Sequence, residues 1–329
     1  MGDARHSVAI FSYNRGMHLR NCVESAQLCC PEWKLTVYDD GSTCPRTLEV
    51  LDWCRNQGLE VLSRTGEQSP RGGLYSNMNR ALSHAAAHSV DLLLFLQDDM
   101  QFVRPVMPRD IADWKRLLTF AGVIQVVPVF IKDAPRSATS KYRVDSALGA
   151  YVKAPHTTIR GIADVGLIDV HKLHSSGWAF RNSEKENSDQ AEGRGWYKVV
   201  AKDPCIAFTP WPCRRSQSEV GTFQRFLEWS ERSGVHPLDH LTEGAVARLA
   251  RRSLDELPLA SSWLKTGGRR LPEDIRYGPV TLRGTLGRSA RSAQRNVAAN
   301  LRGLGHEALR ILRRERKAGL RRPPATEDQ

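Results

Sequence analysis

Leu92-Leu93-Leu94-Phe95-Leu96-Gln97-Asp98-Asp99-Met100 is the stretch on which the reading of this 329-residue chain turns. Five consecutive large apolar residues predict a strand buried on both faces, as in the middle of a mostly parallel sheet. The strand ends in two adjacent carboxylates, with Gln97 before them and Arg104-Pro105 shortly after. In an open α/β sheet, ligands bind at the carboxyl ends of the strands. Two neighbouring negative charges repel unless a divalent cation or hydrogen-bond donors neutralise them. A turn with one helix-capping Asp is the simpler reading, and a second stretch of the same design upstream decides against it.

That second stretch is Lys34 to Tyr38, a strand pattern that also runs into paired carboxylates, Asp39-Asp40-Gly41-Ser42. Val8 to Arg15 reads as a strand entering a polar loop, Ser12-Tyr13-Asn14-Arg15. His18 to Cys29 follows with helical spacing of apolar residues. Ser42 or Thr43 is expected to cap a helix over Thr47 to Asn56. Glu60 to Leu62 predicts a short strand, Ser69 to Gly73 a loop carrying Arg71, and Leu74 to His88 an Ala-rich helix. The resulting β-α-β-α-β-α-β alternation predicts a parallel sheet with helices on both faces. Both acidic strand ends then fall on one edge of the sheet, where Asn14, Arg15 and Arg71 join four carboxylates. A base edge, a ribose diol and phosphates are each met there by a suitable group, so a nucleotide is the expected ligand.

Composition sets the outer limits. Hydrophobic content of 40% and charged content of 26% are those of an ordinary globular protein. No run approaches the roughly 18 apolar residues of a membrane-spanning helix, and Met1 to Ser7 lacks an apolar signal region. A cytoplasmic location is expected, with peripheral attachment to the inner face of the membrane as the alternative. Seven cysteines without a Cys-x-x-Cys pair read as reduced thiols. The net charge of +12 is concentrated late, because eleven Lys/Arg and two Glu lie between Arg288 and Arg322. The basic character therefore belongs to an appendage rather than to the core.

Ser12-Tyr13-Asn14-Arg15, Asp39-Asp40-Gly41-Ser42, Asn79, and Gln97-Asp98-Asp99 ahead of Pro105 together resemble a family 2 glycosyltransferase with the GT-A fold. The resemblance covers roughly residues 7–215. It implies an inverting enzyme that uses a nucleotide-diphosphate sugar and a divalent metal, Mn2+ or Mg2+. On that basis Ser12, Tyr13 and Asp39 would hold the base, and Asn14, Arg15, Asp40, Arg71 and Asn79 complete the nucleotide-sugar site. The family's Asp-x-Asp signature appears here as Gln97-Asp98-Asp99. Asp99, at its last position, would be the metal ligand, and Asp98 a ribose or outer residue. A UDP-sugar is the default donor.

In the second half, Val123 to Ile131 predicts a strand with Pro128 at an edge or bulge, and 133–160 an irregular polar loop on the acceptor side. Leu167 to His171 reads as a strand, a helix is expected to run on to Gly193, and Tyr197 to Ala201 and Cys205 to Phe208 as late strands. The family carries a carboxylate before a helix and a Gly-aromatic turn. Gly195-Trp196 matches that turn, and Glu186-Asn187 the acidic pair, with Glu184 as competitor. An inverting transfer needs one base for the acceptor hydroxyl's proton, so Glu186 or Glu184 is the expected catalytic residue. Solvated charges at a helix start are the alternative reading of both. Trp178, Phe180, Trp196 and Trp211 are more simply core residues than sugar platforms.

Residues 1–220 are expected to form the GT-A domain, with a nucleotide half over 1–105 and an acceptor half over 106–220. Residues 221–329 would be a helical, basic extension with a disordered end. Its amphipathic stretch, 288–322, suits docking on the core, self-association or an anionic membrane surface; nucleic acid is not expected. The acceptor is a glycan, a lipid-linked molecule or a small molecule. Two other readings remain open: a non-catalytic nucleotide- or glycan-binding GT-A protein, and a sugar nucleotidyltransferase. The second would need a Gly-rich basic phosphate loop after the first strand, where this chain has Ser12-Tyr13-Asn14-Arg15-Gly16.

Overall fold

The computed structural model describes residues 6–64, 73–214, 221–273 and 275–280. Arg71 and the basic stretch 288–322 lie outside the described residues. The amino-terminal half alternates as β1 (His6–Ser12), α1 (Gly16–Cys29), β2 (Lys34–Asp39), α2 (Pro45–Asn56), β3 (Glu60–Ser63), α3 (Gly73–Ala87) and β4 (Leu92–Gln97). Then come β5 (Met100–Phe102), α4 (Pro108–Thr119), β6 (Val123–Val127), α5 (Pro135–Lys141), β7 (Tyr142–Asp145) and β8 (Ala150–Lys153). The chain continues through β9 (Gly166–Asp169), α6 (Val170–Ser175), α7 (Glu184–Gly193), β10 (Tyr197–Val200), β11 (Ile206–Phe208), α8 (Thr222–Ser230) and α9 (Glu243–Arg251).

Nine strands form one sheet in the order β3-β2-β1-β4-β9-β6-β10-β8-β7. β3, β2, β1 and β4 are mutually parallel, while β9 runs antiparallel to both β4 and β6. β10 is parallel to β6, and β8 and β7 close the far edge antiparallel. Alternate residues of the central strands face opposite layers, as the period of two requires. Val8, Ile10, Leu94 and Leu96 pack with Leu19, Val23 and Leu51 on one face. Ala9, Phe11, Leu93 and Phe95 pack with Met78, Leu82, Leu173, Trp178 and Phe180 on the other. A third cluster joins Val103, Phe130 and Ala207 to Leu238, Leu249 and Leu264, so the segment around α9 is seated on β5 and β11.

Several elements depart from the sequence expectation for local reasons. The strand starting at Val123 stops at Val127, in the interior of the sheet, because Pro128 has no N–H to donate. Only isolated bridges at Val129 and Ile131 follow. Residues 133–160 are not an irregular loop, since they contain α5 and the β7–β8 hairpin. The strand read over Leu167 to His171 ends at Asp169, whose Oδ1 accepts from Lys172 N at 2.8 Å and so caps α6. Among the described residues none of the cysteines forms a disulfide. Among the described residues no helix is long and apolar enough to cross a membrane.

Candidate active site

The site assembles at the carboxyl ends of β1, β2 and β4. Asn14 sits in the left-handed region at φ 53°, which Asn tolerates better than most residues. Its Oδ1 accepts from Thr43 N and Cys44 N at 2.8 and 2.9 Å. Asn14 thereby fixes the turn that leads into α2, whose first turn has no side-chain cap from Ser42, Thr43 or any other residue. Ser42 instead donates its hydroxyl to Asp39 Oδ1 at 2.5 Å, while Asp39 Oδ2 accepts from Gly41 N and Ser42 N at 3.1 and 2.9 Å. Asp39 is thus the fixed pivot of its own turn, and Asp40, half-buried, pairs with Arg64 at 3.0 Å. Ser12 is buried, and its hydroxyl has no hydrogen-bond partner among the described residues. Asn79 exchanges both of its side-chain bonds with the Phe180 backbone, at 2.9 and 2.7 Å, tying α3 to the loop before α7.

Asp98 and Asp99 are 6% and 7% exposed, and one guanidinium group serves both. Arg15 Nη1 lies 3.3 Å from Asp98 Oδ1 and 2.8 Å from Asp99 Oδ2. Burial alone would lower the arginine's pKa, but the two carboxylates outweigh it and hold the group charged. Tyr13 N donates to Asp98 Oδ2 at 3.4 Å. The Asp99 carbonyl accepts from both the backbone and the hydroxyl of Thr209, at 2.8 and 2.9 Å, which fixes its backbone. Asp99 Oδ1 is buried and has no hydrogen-bond partner among the described residues.

An oriented carboxylate with one unspent oxygen fits a divalent cation that takes its other ligands from a diphosphate and water. Among the described residues no three His, Cys, Asp or Glu side chains converge as a metal cage. The protein's share of such a site is therefore small and centred on Asp99. His18, buried beside Arg15 and Asp99, is kept neutral, with burial and then Arg15 pushing its pKa down to about 4.

A further acid, Asp164, stands on the same edge and was not singled out in the sequence. It lies just before β9, whose first residue, Gly166, is paired with Phe95 near the end of β4. Gln97 Nε2 donates to Asp164 Oδ2 at 2.9 Å. Burial, and then the charge of Glu184, push the Asp164 carboxyl up to about 6. Glu184 opens α7, where Ser183 Oγ accepts from Glu186 N at 3.2 Å. It is partly buried, whereas Glu186 is exposed. Asn187 is turned inward and holds Arg181 and Ser183 backbone groups through three bonds of 2.7–3.0 Å. Tyr75 of α3 closes the group, its phenol pushed up by burial and then by Asp164 and Glu184.

Lys198 of β10 completes the cluster, and its ammonium is driven down to about 7 by burial and the neighbouring Lys153, against the pull of Glu184 and Asp164. A lone Asp between an Ala and a Val, and a Lys inside a strand, carry no motif. Only the sheet order brings them together.

With this geometry in place, comparison with known proteins is informative. The sequence model of glycosyl transferase family 2 matches residues 7–159, from β1 through β8. No curated protein matches the sequence. Solved structures that resemble it include Staphylococcus aureus TarS 1–349, with 18% identity and a TM-score of 0.43 over 62% of this chain and 60% of that one. Another is the mannosyltransferase PcManGT from Pyrobaculum calidifontis in complex with GDP-Man and Mn2+ (13% identity, TM-score 0.42, 77% and 66% covered). A third is GalNAc-T7 with UDP, GalNAc and Mn2+ (15%, 0.43, 63% and 44%). The chain thus spans about 60% of the first of these structures.

The stretch containing all four quoted motifs is the one that resembles family 2 in sequence, and it builds the mostly parallel sheet flanked by helices that the sequence led us to expect.

Proposed function

We propose that this protein moves a sugar from a nucleotide-diphosphate donor to an acceptor hydroxyl with inversion at the anomeric carbon. The observation that carries the reading is the single sheet edge on which Asp99, with its unspent oxygen, and Asp164, with its raised pKa, stand together. The nucleotide would lie along Ser12, Tyr13, Asp39 and Asp98, with the diphosphate towards Arg15 and Asp99. A divalent ion bound at Asp99 would neutralise charge growing on the departing diphosphate.

The proton of the acceptor hydroxyl goes to Asp164. Gln97 occupies Oδ2 and leaves Oδ1 to receive it. Glu184 raises the proton affinity of Asp164 towards the working pH, where a general base is most effective. Of the two glutamates expected from the sequence, Glu184 is the one we retain, because it stands within the charge cluster of Asp164, Tyr75 and Lys198.

Donor-dependent transfer or donor hydrolysis, measured against pH, tests this. Asp164→Asn is expected to lower kcat by about 100-fold or more, the usual worth of a general base. The wild-type rate should rise with pH through about 6, and Glu184→Gln should move that limb to lower pH, because a like charge is removed. A larger loss in Glu186→Gln than in Asp164→Asn would place the base elsewhere.

A further inference from the structure

Between β8, β10 and the end of α7 lies a pocket of 340 Å³ that the donor site does not use. Its charged lining is Arg143, Lys153, Arg160 and Lys198 against Asp145 and Glu192. The anions are already engaged. Glu192 is paired with Arg160, and Asp145 accepts from Leu148 N at 3.1 Å in the turn of its hairpin. Positive charge is therefore left over.

Lys198 is the telling member. It is 6% exposed, and its ammonium has no hydrogen bond or ion pair among the described residues. An ammonium on so enclosed a side chain loses much of its hydration, and an anion entering the pocket would offset that loss. Lys153 beside it is held only by the Thr158 carbonyl at 3.2 Å. Lys198 is also paired in the sheet with Gln125, whose side chain holds the Ala163 backbone next to Asp164, which places the pocket beside the segment of the candidate base.

We propose that this pocket is the acceptor subsite and that the acceptor carries a phosphate group, which pairs with Lys198 and Lys153. The assignment as acceptor subsite rests on the glycosyltransferase reading; the anion site itself rests on Lys198 and its neighbours. A phosphate suits a pair of compact ammonium charges.

The test uses the full chain and thermal shift or calorimetry with inorganic phosphate, glucose 1-phosphate, acetate and glucose. The wild type should bind the two phosphates and not glucose, and acetate should bind more weakly. Lys198→Met should weaken phosphate binding about tenfold or more, the scale of a charge-assisted hydrogen bond, and Lys198→Arg should retain part of it. Met fills the same volume without a buried charge, and its folded state is checked by the melting temperature without ligand.

Equal binding of glucose and glucose 1-phosphate, or unchanged phosphate binding in Lys198→Met, overturns the proposal. Phosphate binding lost in Lys198→Met, in a protein that binds no nucleotide diphosphate, would leave the anion site standing and overturn the glycosyltransferase reading instead. Nucleotide diphosphate binding without any phosphate binding would do the reverse.

Discussion

Gln97 and Asp164 divide between them what the Asp-x-Asp signature would place on one strand. The amide donates to the acid at 2.9 Å, and a carboxylate at 97 would face Asp164 as a like charge. Gln97→Glu is accordingly expected to raise the Asp164 pKa above its present value of about 6 and move the acidic limb of the rate profile up with it.

The same shift has a consequence for stability. The folded-state pKa of Asp164 is raised from 3.8 to about 6. The folded protein therefore binds this proton more tightly than the unfolded chain, and stability falls as pH rises through that interval. Asp164→Asn removes the burden. Its melting temperature should exceed wild type above pH 6 and converge with it below about pH 4. The gain is on the order of 1–3 kcal/mol, given about 1.4 kcal/mol per pKa unit and a partly solvated group. Chemical denaturation at pH 4 and pH 8 measures it.

Among the elements, α2 and α7 show how local sequence and tertiary context share the work. α2 has no side-chain cap, and Asn14, from the loop after β1, instead holds Thr43 N and Cys44 N in the turn that leads into it. Asn14→Ala should cost about 1–3 kcal/mol, the scale of leaving buried polar groups unpaired, read as a lower denaturation midpoint.

Gly161 marks the close approach of the Asp164 segment to α7. Its N–H donates to Ser188 Oγ at 2.9 Å, and a Cβ there would meet the Ser188 carbonyl oxygen at 2.3 Å. Gly161→Ala must push α7, and Glu184 with it, away from Asp164.

The strands from Val8 to Gln97 and their helices were legible because burial on both faces and turn chemistry are local signals. The grip of Asn14 on the turn before α2 was not, since its partners lie 29 and 30 residues further on. The β7–β8 hairpin was hidden because its half-exposed strands of four residues show no clear alternation.

Over the whole molecule, sheet order is what the sequence could not convey. β9 enters between β4 and β6 and runs against both, and this insertion carries Asp164 to the edge that already holds Asp98 and Asp99. The same order seats β10 beside β6 and brings Lys198 towards it. The acidic pairs at 39–40 and 98–99 were readable as strand-end features, whereas Asp164 and Lys198 acquire meaning only from neighbours distant in sequence.

The central claim, a nucleotide-diphosphate site organised on Asp99, is tested most directly by the melting temperature with UDP, GDP and TDP, each with and without Mn2+, on wild type and Asp99→Asn. Ligands that bind the native state raise it according to affinity and concentration. The account predicts a shift with one diphosphate that requires Mn2+ in the wild type and disappears in Asp99→Asn. No shift with any diphosphate, or an equal shift in the variant, would contradict it.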